Sequence, residues 1–108
     1  MSTPEATFRL SVASVLNSLT EALDEVDTDD LDITVTDGVL TTHFESGGTF
    51  VLSQQVPMLE IWLSANRRAW HFGQREGGWK ERDTGEDLLE VLNTLYSLKL
   101  GLSVQLGS

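Results

Sequence analysis

Apolar residues recur at helical spacing at the start of the chain and alternate through its middle, so two different backbone periods can be read along it. Phe8, Val12, Val15, Leu16, Leu19, Leu23 and Val26 fall in one stripe at 100° per residue, with Glu21, Asp24 and Glu25 on the opposite side. Thr3 and Pro4 suit the start of this helix, Thr3 as the cap and Pro4 at the first helical position, where its missing N–H costs nothing. Asp27 to Asp30 then breaks the pattern with turn formers. Asp37-Gly38 is a strong hairpin signal, and it predicts antiparallel pairing of Asp32–Thr36 with Val39–Glu45. In the second of these runs Leu40, Thr42 and Phe44 face one way, and Val39, Thr41, His43 and Glu45 the other.

Gly47-Gly48 makes the next turn, Thr49–Ser53 the next strand, and Pro57 interrupts the run before Glu60–Ser64 resumes it. Ala69–Phe72 and Trp79–Arg82, separated by Gly77-Gly78, read as two further short strands. A second amphipathic helix follows Asp83-Thr84-Gly85, with Leu88, Leu89, Leu92, Leu95 and Tyr96 as its stripe and Gly101 as its C-cap. Leu102–Leu106 alternates as a last strand or a tail packed on the helices. Antiparallel strands flanked by helices imply an α+β fold of two layers, with both helices on one face of a five- or six-stranded sheet and the other face open to solvent. At 108 residues the whole chain, 1–108, is one domain.

Composition narrows the chemistry. There is no cysteine, which removes thiolate ligation, disulfides and thiol catalysis. The formal charge of -10 lies entirely in residues 1–66, where Arg9 is the lone basic residue, while residues 67–108 balance. Such a field repels nucleic acid and anionic lipid and draws in cations or a basic protein. No window is apolar enough to span a bilayer and the first residues carry no basic n-region, so a cytoplasmic protein is expected; a processed mitochondrial matrix form would read alike.

Seven carboxylates, Glu21, Asp24, Glu25, Asp27, Asp29, Asp30 and Asp32, crowd the first helix end, the turn and the first strand. Their repulsion costs stability that a bound cation would restore. Carboxylates suit hard cations, Ca²⁺, Mg²⁺, Mn²⁺ and the oxygen-preferring states of iron, but the spacing is not that of an EF-hand loop and lacks its central glycine. A solvated acidic face that only keeps the protein soluble is the plain alternative. His43 and His71 each stand alone, and no Ser-His-Asp set or phosphate loop occurs, so catalysis is not expected.

Trp62 alternates with Ile61 and Leu63, which points it outward beside Glu60 and near Gln55, whereas Trp70 and Trp79 read as core. An outward Trp among polar neighbours is an expected contact hot spot. Arg67 and Arg68 follow closely enough to extend its footprint, and Arg75, Lys80 and Arg82 continue a basic edge.

Asp37-Gly38-Val39-Leu40-Thr41, Gln55-Val56-Pro57 and Ile61-Trp62-Leu63-Ser64 resemble the frataxin family in order and spacing, and Trp70-His71-Phe72, Trp79 and Gly101–Leu106 resemble its bacterial branch. The resemblance implies two helices on one antiparallel sheet, weak binding of Fe²⁺ and Fe³⁺ by the acidic ridge, and contact with the cysteine desulfurase and scaffold of iron–sulfur cluster assembly. It carries Glu21, Asp24, Glu25, Asp27, Asp29, Asp30 and Asp32 onto the ridge, and Gln55 and Trp62 onto the sheet surface that meets partners; Ser53, Glu60, Arg67 and Arg68, beside them in sequence, complete the expected partner surface. A monomer is expected, with metal-induced oligomers. Ser53 and Glu60 depart from the Asn and Gln usual in the family. An acidic α+β chaperone or adaptor of the secretion type, with no metal role, is the alternative.

Overall fold

The computed structural model describes residues 3–75 and 77–106. Helix α1, Pro4–Asp24, is capped by Thr3, whose hydroxyl accepts from the Ala6 N–H at 3.0 Å. Phe8, Val12, Leu16, Leu19 and Leu23 form its buried stripe, the periodicity expected of it. Six strands follow: β1 Leu31–Thr36, β2 Val39–Phe44, β3 Thr49–Gln55, β4 Glu60–Ala65, β5 Arg68–Arg75 and β6 Gly78–Glu81. They form one antiparallel meander in the order β1-β2-β3-β4-β5-β6. A 3-10 turn at Val56–Met58 carries the chain through Pro57, because proline cannot donate to a ladder.

Helix α2, Leu88–Leu100, starts three residues beyond the Asp83-Thr84-Gly85 turn and is capped by Asp87, whose carboxylate accepts from the N–H groups of Leu89 and Glu90. It ends at Gly101 in the left-handed region, φ +69°, where glycine carries no Cβ penalty. Leu102–Leu106 is a tail and not a strand. Its backbone is tied to α2 by side chains, Val104 N–H to Ser97 Oγ at 2.9 Å and Leu106 N–H to Asn93 Oδ1 at 2.7 Å. Leu106 thereby reaches a small core gap lined also by Leu19, Leu23 and Leu92.

Alternation along the strands decides which sheet face is covered. Leu40, Phe44, Phe50, Leu52, Ile61, Leu63, Trp70 and Phe72 point toward the helices and are buried. Phe44, Phe50 and Tyr96 pack edge to face or tilted, with centroids 4.7 to 5.9 Å apart, and Trp79 meets Phe8 at 6.0 Å. Neither helix covers the other face, so its residues are held in place but left accessible.

Candidate functional site

Register brings the outward side chains into rows. Val39, Ser53, Trp62 and His71 lie opposite one another across β2, β3, β4 and β5, and Gln55, Glu60, Gly73 and Lys80 form the next row. The indole N–H of Trp62 donates to Glu60 Oε1 at 3.0 Å, and the Arg82 guanidinium donates to that same oxygen at 2.9 Å. The far side of the indole meets the His71 ring edge to face at 5.0 Å. Gln55 Nε2 donates to Ser53 Oγ at 3.2 Å. Trp62 points outward as its alternation requires, and Glu60 and His71 against its flanks leave it half-buried.

A buried carboxylate underpins this face. Glu81 accepts the His71 N–H at one oxygen, and the Asp83 and Thr84 N–H groups at the other. Burial pushes its carboxyl up, but these three N–H groups and the nearby His71 ring outweigh burial and hold it below the ordinary 4.5. His71 Nδ1 stands 3.7 Å from Glu81 Oε2.

The acidic residues form a ridge at the opposite, β1 end of the sheet. Glu21, Asp24 and Glu25 are exposed along the end of α1, with Glu25 as its C-cap, and Asp27, Asp29 and Asp32 are exposed beyond it. Asp30 differs from the rest: its two oxygens accept from the Ser46 N–H at 2.7 Å and the Ser46 hydroxyl at 2.8 Å. The Ser46 N–H, then its hydroxyl, hold the Asp30 carboxyl below its ordinary value, and Lys99 adds to this. Asp32 faces His43 across the β1–β2 pair. The donors are all hard oxygens and so fit a weakly held hard cation, iron included. Among the described residues no three carboxylates or imidazoles converge as a cage around one ion.

The Frataxin-like domain family matches residues 1–102. The chain belongs to the frataxin-like family. It is 35% identical to the iron-sulfur cluster assembly protein CyaY of Thioalkalivibrio sulfidiphilus over 94% of this chain and 98% of the relative. Identity to the CyaY of Tolumonas auensis is 29%, over 95% and 98%. The fold superposes on frataxin from Psychromonas ingrahamii with a TM-score of 0.90 at 19% identity, over 98% of this chain and all of that one. Trimeric frataxin from the yeast Saccharomyces cerevisiae, solved also in complex with ferrous iron, superposes at 0.73 with 25% identity, covering 94% of this chain and 89% of the ferrous form.

On this frataxin-like frame Ser53, Gln55, Glu60 and Trp62 come together on the open face, as their positions in sequence suggested. Arg68 does not join them. It pairs with Ala65, whose side chain points toward the helices, and its guanidinium lies 4.5 Å over the Trp70 ring on that covered side. The two-residue Asn66-Arg67 turn, with φ of +51° and +64°, is the physical reason, because it aligns Arg68 with Ala65 and not with Ser64. Arg67 is exposed at the turn itself. Sequence reasoning missed His71 and Arg82 as neighbours of Trp62. His71 comes from β5 and Arg82 from just beyond β6, both later in the chain, and only pairing register could have placed them.

Proposed function

We propose that this chain is a non-enzymatic protein of iron–sulfur cluster assembly that docks the cysteine desulfurase and scaffold through its open sheet face. The reading is carried by one observation: Ser53, Gln55 and Trp62 stand together on a face that neither helix covers, in a chain whose relatives are named cluster assembly proteins along their whole length. Trp62 supplies a large, rigid contact surface of the kind that dominates interface energetics, and Arg67 adds a charge at the rim.

The ridge of Glu21, Asp24, Glu25, Asp27, Asp29 and Asp32 collects iron as cargo, Fe²⁺ or Fe³⁺, and accepts other divalent cations. Open carboxylates favour weak, exchangeable binding, which suits a protein that delivers or senses an ion more than one that stores it. Ridge and Trp62 are separated across the sheet by three inter-strand steps, about 14 Å, so an ion and a docked partner fit at once. The working form is a cytoplasmic monomer, with association at high metal loading.

Isothermal titration against the desulfurase and the scaffold tests the docking. Trp62→Ala should weaken binding by at least about 2 kcal/mol. Undiminished affinity in a folded Trp62→Ala protein would refute docking through this face.

A further inference from the structure

We infer that Glu60 acts on the partner through Trp62, as a positioning residue, and not by touching the partner itself; this rests on the docking face proposed above. Three observations lead there. The Glu60 side chain is only 12% exposed, little for a residue meant to meet a partner. One of its oxygens takes both the Trp62 indole N–H at 3.0 Å and the Arg82 guanidinium at 2.9 Å. Arg82 lies beyond β6, on the far side of β5 from Glu60, so the pair spans β4 to β6 and fastens the indole to the sheet from two strands away.

The arrangement resolves what Glu60 does in place of an uncharged side chain. A carboxylate here accepts two strong bonds at one oxygen and is neutralised by Arg82, so it adds no free charge to the surface. The indole spends its polar hydrogen inside the protein, and His71 closes its other flank at 5.0 Å. Trp62 is thus presented to a partner in one orientation. A side chain ordered before contact loses less freedom on binding than one that must be immobilised then.

A double-mutant cycle combined with indole N–H exchange measured by NMR tests this. Glu60→Ala should speed exchange of the Trp62 indole N–H by about tenfold, the equivalent of one charge-assisted hydrogen bond. Glu60→Gln keeps an acceptor for the indole but loses the Arg82 pair, and should fall between. Binding to the desulfurase or scaffold should drop with Glu60→Ala when Trp62 is present and not drop further when it is added to Trp62→Ala. An equal loss in both backgrounds would mean that Glu60 touches the partner and would overturn the inference, as would unchanged indole exchange. If Trp62→Ala does not weaken binding, the docking reading is what fails, and the indole exchange alone then decides the positioning role.

Discussion

The hydroxyls of Thr42 and Tyr96 meet 2.6 Å apart in the core, joining β2 to α2 across 54 positions of sequence. Both residues are buried, and each hydroxyl satisfies the other where water cannot. Tyr96→Phe strands the Thr42 hydroxyl and should cost about 1–3 kcal/mol in denaturant unfolding, whereas Thr42→Val combined with Tyr96→Phe should recover most of it. Recovery identifies the stranded group, and not lost volume, as the cause.

Burial also pushes the Tyr96 phenol up from 10.0 to about 12, against the opposing effect of its bond to Thr42. A raised value in the folded state means that the native protein holds its proton longer. The associated stability is complete below pH 10 and is lost as the pH rises toward 12, up to a few kcal/mol. Tyr96 is the one tyrosine of the chain, so phenolate absorbance reads its titration directly. A midpoint near pH 10 in the folded protein would contradict the burial argument.

Glu81 should govern part of the acid limb. Its carboxyl is held below 4.5, so its contribution is present above that pH and fades as the pH falls through the lower folded-state value. Glu81→Gln turns an amide NH₂ toward N–H groups that need an acceptor, and should cost about 1–3 kcal/mol at neutral pH. Its stability should then vary less with pH in the acid range than that of the parent protein, as followed by circular dichroism.

The ridge makes a prediction of its own. Titration with Fe²⁺ or Mn²⁺ should broaden the NMR signals of residues 21–32 first, and occupancy at a hundred times the dissociation constant should stabilise the fold by about 2.7 kcal/mol. Asp30 is engaged by Ser46, so Asp30→Asn should loosen the β2–β3 turn while leaving metal affinity unchanged; Glu25→Gln and Asp29→Asn should lower that affinity. Broadening centred on His71 would place the ion elsewhere.

Leu106 should be a core residue despite its place near the chain end. It is 2% exposed, and Leu106→Ala should cost about 2–5 kcal/mol in thermal or denaturant unfolding. A cost near zero would mean that the tail is not docked in solution.

Local pattern was enough for much of this protein. The stripe of α1, the Asp37-Gly38 hairpin, the Gly101 cap and the outward side of Trp62 follow from periods of 3.6 and 2 and from turn chemistry, each written within a few neighbouring residues. Crowding of the acidic residues is likewise a property of the linear chain. What sequence alone left open depends on distant segments. The side of the sheet on which Arg68 falls depends on a turn register, the neighbours of Trp62 depend on β5 and β6 pairing in order, and Asp30 is separated from the other ridge carboxylates by a bond to Ser46, 16 residues away. The Leu102–Leu106 segment alternates as a strand would, but the open edges of the sheet are β1 and β6, and the gap between the helices takes its apolar side chains instead. Periodicity states which side chains leave the water; which partners they find there is decided only when the layers close on one another.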